Sequence, residues 1–194
     1  MRELRTALVA VVAFTVACGL AYPLVMTGVA QVAFGGEADG SIIERDGEPV
    51  GSRLIGQDFS DDPRAFQSRS SATEYAPDAT FFNNLGPNQR DLADLLEENL
   101  QAYLEREGPA NPGLTAARVP PDAVTTSASG VDPDISEANA RIQSGRVARE
   151  RGIGRARVLE LVGGHTSRPL LGLGGEASVN VLELNLALDA AARR

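Results

Sequence analysis

The densest group of side chains that could do chemistry lies in the run Thr125–Ser136, TTSASGVDPDIS. Four hydroxyl groups and Gly130 stand just before a predicted helix. Hydroxyls, turn amides and the positive end of a helix dipole can together hold an anion or the backbone of a partner protein. The alternative is a well-capped connection, in which Asp132-Pro133 forms a turn and Ser136 caps the helix. Helix caps are far commoner than anion sites, so residue type alone favours the capped connection.

Ser127 or Ser129, together with His165 and one of many acids, has the residue types of a hydrolase triad. The nucleophile-elbow pattern G-x-S-x-G is missing, and nothing in the sequence brings His165 near a serine. We therefore expect His165, which follows two glycines, to be a loop residue.

Two further patterns carry less chemical information. The run Gly172–Ala177 matches G-x-G-x-x-A, but a dinucleotide site needs a following helix and a distant acid, so we expect a turn. Six arginines concentrate positive charge on two predicted helices. They form either a solvated face or a patch that docks an acidic partner or the acidic middle of the chain: Arg141, Arg146, Arg149, Arg151, Arg155 and Arg157.

Charge and composition exclude several classes of protein. The chain has 194 residues and a net charge of −8, and residues 37–138 hold 20 acids against 7 arginines. Such an acidic chain lacks the basic footprint of a nucleic-acid-binding protein. One cysteine, Cys18, excludes a disulfide framework, and one histidine excludes a multi-histidine metal site.

An uncharged run of 31 residues, Thr6–Gly36, predicts a transmembrane helix over residues 7–28. Arg2 and Arg5 precede this run and acids follow it. The positive-inside rule therefore places residues 1–6 in the cytoplasm and residues 29–194 outside. A cleaved secretory signal would have a shorter apolar core. A lipoprotein signal ending at Cys18 would have a leucine at its first position and polar residues afterwards, so we expect an uncleaved anchor.

The outer domain shows helices and strands without regular alternation, which predicts an α+β, or irregular α/β, fold. Asp46-Gly47 predicts a two-residue hairpin between Ser41–Arg45 and Glu48–Ser52, with Leu54-Ile55 as an extension of the second strand. Residues 57–88 have the composition of a long ordered loop. Helices are predicted from an Asn88 cap to Glu107, from a Ser136 cap to Arg151, and over residues 155–162. The end of the chain predicts a strand over Val179–Leu184 and a helical turn or two over Asn185–Ala192.

Several of these motifs, taken in order along the chain, resemble the KdpC family, the C subunit of the bacterial Kdp potassium-transporting ATPase. The residues that carry the resemblance are GLAYPL at Gly19–Leu24, GSII at Gly40–Ile43, GSRLIGQ at Gly51–Gln57, NLGP at Asn84–Pro87, TSASGVDP at Thr126–Pro133, Gln143 with Arg146-Val147-Ala148, and VNVLELN at Val179–Asn185.

The resemblance implies a non-catalytic subunit of an inner-membrane complex that uses ATP to import potassium. Its expected partners are a channel-like potassium-binding subunit, a P-type catalytic subunit and a small single-helix subunit. ATP and potassium would belong to the complex, with no cofactor or metal held firmly by this chain. The expected role is to stabilise assembly and to raise the ATP affinity of the catalytic subunit.

A contact with an anion or a partner is expected at Ser127, Ser129, Gly130, Asp132, Ser136 and Gln143, and no catalytic residue is assigned. The alternatives are a membrane-anchored serine hydrolase outside the cell, which would use Ser127 or Ser129 with His165, and a free-standing binding module.

Overall fold

The computed structural model describes residues 1–79, 81, 84–169 and 175–192. The chain divides into two compact units, Met1–Ser52 and Arg53–Arg194. The hairpin thus belongs to the same unit as the apolar helix. The first three residues of the predicted glycine turn, Gly172–Gly174, lie outside the described residues.

The first unit begins with one long apolar helix, Arg2–Ala33, built from α1 (Arg2–Val16), a π-helical turn (Ala17–Ala21) and α2 (Tyr22–Ala33). At 1.5 Å per residue it is about 48 Å long, which exceeds the roughly 30 Å of a bilayer's hydrocarbon core. None of its residues is buried against the rest of the chain. The helix is therefore long and apolar enough to cross a membrane, as the sequence predicts.

The π-helical turn has a local cause in Pro23. Proline has no N–H to donate, and its ring clashes with the carbonyl four residues earlier in a regular helix. Here the turn widens, and the Tyr22 N–H donates to the carbonyl of Ala17, five residues back. The helix thus continues through the proline, and the widened turn contains Cys18 and Gly19.

The same unit ends in a short helix and a hairpin. Helix α3 (Gly35–Ala38) leads into β1 (Ile42–Arg45) and β2 (Glu48–Ser52), which pair antiparallel across Asp46-Gly47. Both turn residues have positive φ, at 56° and 85°, which is why an Asp-Gly pair suits this position. The predicted hairpin is confirmed, but the predicted extension through Leu54-Ile55 is wrong because β2 ends at Ser52.

In the second unit, the described residues between Arg53 and Gln89 form turns and irregular chain, as the sequence predicts. Helix α4 (Arg90–Glu107) follows and is capped at Gln89 rather than at Asn88, so the predicted cap is wrong by one residue. A 3₁₀ turn at Gly108–Ala110 ends it. Two further 3₁₀ turns lie at Ala116–Arg118 and Pro121–Ala123.

Helix α5 (Glu137–Arg151) begins and ends where the sequence predicts. The Ser136 hydroxyl accepts a hydrogen bond from the Asn139 N–H, and Gly152 adopts the left-handed conformation, with φ of 66°. These are the standard signals for the start and stop of a helix. Helix α6 (Arg155–Gly164) follows and extends two residues beyond the predicted end at residue 162, through Gly163 and Gly164.

The prediction for the C-terminal segment is wrong over Val181–Leu184, which is helix rather than strand, and confirmed for the helical turns over Asn185–Ala192. Only Ser178–Asn180 is a strand, β5, and helix α7 runs from Val181 to Ala192. The Asn180 side chain accepts a hydrogen bond from the Glu183 N–H, so it caps the new helix. The asparagine cap therefore starts a helix at a place where the apolar alternation of VNVLEL predicts a strand.

A small antiparallel sheet and three helices enclose the core. Strand β5 is central, between β3 (Asp134–Ser136) and β4 (Thr166–Ser167). These two short outer strands were not predicted. The buried core residues come from this sheet, α5, α6, α7 and the irregular segment: Phe66, Ile135, Ala140, Val147, Ala148, Val158, Val162, Val179, Val181, Leu184 and Leu188.

Truncation of Leu184 tests this core. Leu184 has no exposed surface, so Leu184→Ala should lower the free energy of unfolding by about 2–5 kcal/mol. Leu186→Ala, at a half-buried position on the same helix, is the matched control and should cost clearly less. Urea unfolding in a neutral detergent measures both; equal losses would contradict this assignment of the core.

Candidate functional site

The predicted site residues Ser127, Ser129 and Asp132 lie together in one ordered loop. The hydroxyls of the two serines are 3.2 Å apart. The Asp132 N–H donates to the Ser127 hydroxyl at 3.4 Å, and the Val131 N–H donates to the Ser129 hydroxyl at 3.2 Å. Both hydroxyls therefore bind the loop's own backbone.

Arg69 fixes the loop from outside. Its Nη1 donates to Asp132 Oδ2 at 2.8 Å, and its Nη2 donates to the Thr125 hydroxyl at 3.1 Å. Tyr75 in turn donates from its hydroxyl to the Arg69 carbonyl at 2.6 Å. Burial raises the pKa of Tyr75 to about 12, so the phenol keeps the proton that it donates.

Gly130 is needed for close packing. Its φ of 74° is a conformation that residues with side chains rarely adopt. A Cβ at this position would also collide with the Thr73 side chain. The Ser71 hydroxyl donates to the Gly130 carbonyl at 2.6 Å, so this glycine lets the two loops touch.

Ser136 lies in a second group, around the start of α5. Its hydroxyl donates to Asp122 Oδ1 at 2.7 Å and accepts from the Asn139 N–H at 3.0 Å. Asp122 Oδ2 also accepts from the Ser136 N–H and from Asn139 Nδ2. Asp122 thus joins the helix cap to the turn before it.

Gln143 continues that group into the interior of the domain. It is 1% exposed, and its Nε2 donates to Asn139 Oδ1 at 3.0 Å. Tyr103 donates from its hydroxyl to the same oxygen at 2.8 Å. Burial raises the pKa of Tyr103, which keeps this phenol a donor.

Gln143 and Asn185 hold the irregular segment 63–67 by its backbone. The Gln67 N–H donates to Gln143 Oε1 at 2.7 Å, and Gln143 Nε2 donates back to the Gln67 carbonyl at 3.1 Å. Asn185 makes the same pair of bonds with Phe66, at 2.7 and 3.0 Å. Each side-chain amide thus takes the place of a neighbouring strand.

Two arginines complete the support of this segment. Arg146 Nη1 donates to the carbonyls of Pro63 and Ala65, and Arg151 Nε donates to the carbonyl of Arg64. All five consecutive carbonyls from residue 63 to residue 67 therefore accept a hydrogen bond from a side chain on α5 or α7.

Arg146 also pairs with Glu107 at the end of α4. The Arg146 Nε donates to Glu107 Oε1 at 2.9 Å, and the two side chains are 3% and 0% exposed. Arg106 donates to the same oxygen at 3.1 Å. Glu107 is thus an acid of α4 that does not face solvent, and its second oxygen is buried without a hydrogen bond to the described residues.

The sequence leaves two roles open for the six arginines, a solvated face or the docking of acidic groups, and the structure shows both. Arg146 docks the acidic middle of the chain through Glu107, and Arg151 Nη1 binds Asp189 at 2.9 Å. Arg149 and Arg157 are exposed and pair with the nearby Glu150 and Glu160. The remaining two, Arg141 and Arg155, border a separate cavity that is described below.

The structure therefore separates the predicted site into two groups. Ser127, Ser129, Gly130 and Asp132 form the loop cluster, whereas Ser136 and Gln143 belong to the network around α5. An anion or partner contact at these residues stays a prediction. Spacing in the sequence does not indicate Arg69, Asp122, Asn139 and Glu107, because each of them binds a residue at least 14 positions away.

His165 lies at the end of α6, where its Nδ1 is 2.9 Å from the Leu161 carbonyl. Among the described residues, no hydrogen bond joins His165 to Ser127 or Ser129. In the same part of the chain, no group of three or more His, Cys, Asp or Glu side chains is arranged to hold a metal ion.

Fold and site together define a class: a protein with one helix able to cross a membrane and a small α+β domain whose polar side chains order its own loops. The family model described as "KdpC: K+-transporting ATPase, c chain" matches residues 4–190. The chain therefore belongs to the KdpC family and has the accessory role of a C subunit in a potassium-transporting ATPase.

Curated relatives agree over the full length. The Potassium-transporting ATPase KdpC subunit of Cereibacter sphaeroides is 47% identical over 191 residues, which cover 98% of each chain. That of Rhodopseudomonas palustris is 47% identical over 209 residues and covers all of both chains. That of Polaromonas naphthalenivorans is 50% identical over 190 residues, with 96% of this chain and 94% of the relative covered.

Breaking the buried ion pair should be costly. Arg146→Met leaves the Glu107 carboxylate buried with only Arg106 beside it, so we expect a loss of about 3–5 kcal/mol in the free energy of unfolding. Arg149→Met, which breaks an exposed pair on the same helix, should cost about 1 kcal/mol or less. Urea unfolding compares the two; an Arg146→Met loss no larger than the control's would show that the pair does not hold α4 to α5.

Glu137 gives a pH-dependent prediction. Hydrogen bonding from Arg141, and the charge of Arg168, lower the pKa of Glu137 below 4.5 in the folded state. A lowered pKa contributes stability above the unfolded pKa, and this is lost as the pH falls through the folded pKa. Glu137→Gln should therefore be less stable than the wild type at neutral pH, with the difference shrinking below about pH 5. Thermal unfolding across pH measures this, with exposed Glu105→Gln as the control; a constant difference would contradict it.

Proposed function

We propose that this chain stabilises the assembled potassium-import complex and raises the affinity of its P-type catalytic subunit for ATP. The other proposed partners are a channel-like potassium-binding subunit and a small single-helix subunit. ATP and potassium bind to those partners, and this chain holds neither firmly. The membrane is proposed to be the bacterial inner membrane.

One observation carries the proposal: no residue of the helix Arg2–Ala33 is buried against the rest of the chain. In a bilayer, helix association relies on close packing, and small residues favour it. Ala13, Ala17 and Ala21 recur every fourth residue on this helix. Such a helix suits packing against the helices of partner subunits.

The proposed orientation follows from charge. Arg2 and Arg5 precede the apolar run and Glu37 and Asp39 follow it, so the positive-inside rule puts the N-terminus in the cytoplasm. The α+β domain then lies outside the cell. A reporter that is active only in the cytoplasm, fused at the C-terminus, should be inactive; activity would reverse the orientation.

An outer domain has no access to cytoplasmic ATP, so its effect on ATP must be indirect. Such coupling is a free energy shared between two sites, typically 1–3 kcal/mol, which corresponds to about 5–150-fold in affinity. The helix is the proposed route of this coupling, since among the described residues it is the one helix long and apolar enough to cross the membrane to the cytoplasmic side.

The side-chain geometry favours a binding role over chemistry. The Ser127 and Ser129 hydroxyls bind backbone N–H groups of their own loop, and His165 binds the Leu161 carbonyl. A serine nucleophile needs a base within hydrogen-bond reach, which these contacts do not provide. Hydrolysis of ester substrates by the purified chain, abolished in His165→Ala, would instead support the hydrolase alternative.

The decisive measurement is potassium-stimulated ATP hydrolysis by the detergent-purified complex, prepared with and without this chain. We expect poor assembly without it, and an apparent KM for ATP at least about fivefold higher in the complex that does form. An equally stable and active complex would overturn the proposal and favour a free-standing binding module.

A second variant tests whether the N-terminal helix carries the coupling between the outer domain and the catalytic subunit. Residues 7–28 are replaced by a leucine helix of equal length, which keeps the anchor but removes the small residues and Pro23. If the helix couples the domain to the catalytic subunit, this variant should show the raised KM of the complex that lacks the chain. An unchanged KM, in a complex that still contains the variant, would exclude this helix as the route.

A further inference from the structure

A cavity of about 240 Å³ lies between the end of the 108–118 segment and helices α5 and α6. Three arginines line it, Arg118, Arg141 and Arg155, together with Asn111 and the apolar side chains of Pro112, Leu114 and Ile142. No acidic residue is among the described residues that line it. In a chain with a net charge of −8, this is a locally basic surface.

The positive charge of this cavity is only partly compensated. Glu137 binds Arg141 at 2.6 Å, but it also binds Arg168 at 3.2 Å. Within the part of the chain that the structure describes, Arg118 and Arg155 have no carboxylate partner. Arg118 makes one long side-chain contact, 3.5 Å to the Gly113 carbonyl.

Neutral acceptors hold Arg155 in a fixed position. Its Nε donates to the Ser144 hydroxyl at 3.1 Å, and its Nη2 donates to Asn111 Oδ1 at 3.2 Å and to the Arg141 carbonyl at 2.9 Å. These bonds orient the guanidinium without neutralising it. Its position is thus set before any anion arrives.

Asn111, which accepts from Arg155, is itself held in place. Asn111 Nδ2 donates to the carbonyls of Glu107 and Ile142, at 2.8 and 3.0 Å. Gly145 makes this contact possible, because a Cβ there would lie 2.9 Å from the Ala110 carbonyl oxygen. The close approach fixes Asn111, and with it the loop that carries Arg118.

We propose that this cavity binds a phosphate group. Guanidinium groups bind phosphate through several charge-assisted hydrogen bonds, and they are less strongly hydrated than ammonium groups. Two sources carry this chemistry, free inorganic phosphate and the headgroup of an anionic phospholipid.

The test uses the full-length chain purified in a neutral detergent, so its outcome is independent of the proposed subunit role. Inorganic phosphate is titrated in place of chloride, so that the ionic strength stays constant. Binding is followed by calorimetry and by the midpoint of thermal unfolding. In a second arm the chain is placed in nanodiscs of phosphatidylcholine, with or without phosphatidylglycerol. A phosphate-dependent rise in midpoint identifies the free anion, and a rise with phosphatidylglycerol alone identifies the headgroup.

Arg118→Gln is the principal variant, because its single long contact makes a folding defect unexpected. Loss of one charge-assisted contact should weaken binding about tenfold or more. Arg157→Gln is the matched control: it removes an exposed arginine from α6 that pairs with Glu160, and it should bind as the wild type does. Unfolding without ligand confirms that both variants fold.

Three results would overturn the proposal. The first is the absence of saturable binding by either probe, and the second is an equal loss in Arg157→Gln, which would indicate a general effect of charge. The third is an unchanged affinity for phosphate in Arg118→Gln, which would show that phosphate binds somewhere other than this cavity.

Discussion

The second unit depends on how the backbone of residues 63–67 is satisfied. Five consecutive carbonyls accept hydrogen bonds from Arg146, Arg151, Gln143 and Asn185, all on helices α5 and α7. Buried backbone groups without partners would cost as much as lost hydrogen bonds. These side chains allow an irregular segment to enter the interior and to place Phe66, which has no exposed surface, within the core. The helices are positioned by the same contacts.

The same contacts explain why acidic and basic residues are unevenly distributed along the chain. The acidic middle and the arginine-rich end of the chain meet within one domain, and Glu107 and Arg146 form a buried pair between them. Arginine suits this use better than lysine, because one guanidinium can donate to a carboxylate, a side-chain amide and two carbonyls at once. A buried ion pair is weak evidence for added stability, but separating its partners is costly. The pair therefore specifies how α4 meets α5.

Most of the local signals in the sequence predict the structure correctly, whereas the long-range contacts cannot be predicted from it. Asp46-Gly47, the Ser136 cap and Gly152 act within a few residues, so the hairpin and α5 could be predicted closely. The start of α7 is an exception: Asn180 and Glu183 form a local cap, but the apolar alternation of the same residues predicts a strand. Nothing local indicates that Glu107 is buried, or that Asp122 binds Ser136 from 14 residues away. For the same reason, the loop cluster and the α5 network were predicted as one site.

The amide pair between Phe66 and Asn185 joins residues 119 positions apart. During translation, Phe66 leaves the ribosome long before Asn185 exists, and domains complete folding only when their distant contacts can form. The irregular segment therefore cannot complete its contacts, and the Phe66 side chain stays exposed, until Asn185 has been synthesised. By then the N-terminal helix is available for insertion, so anchoring in the membrane can precede the folding of the domain that it carries.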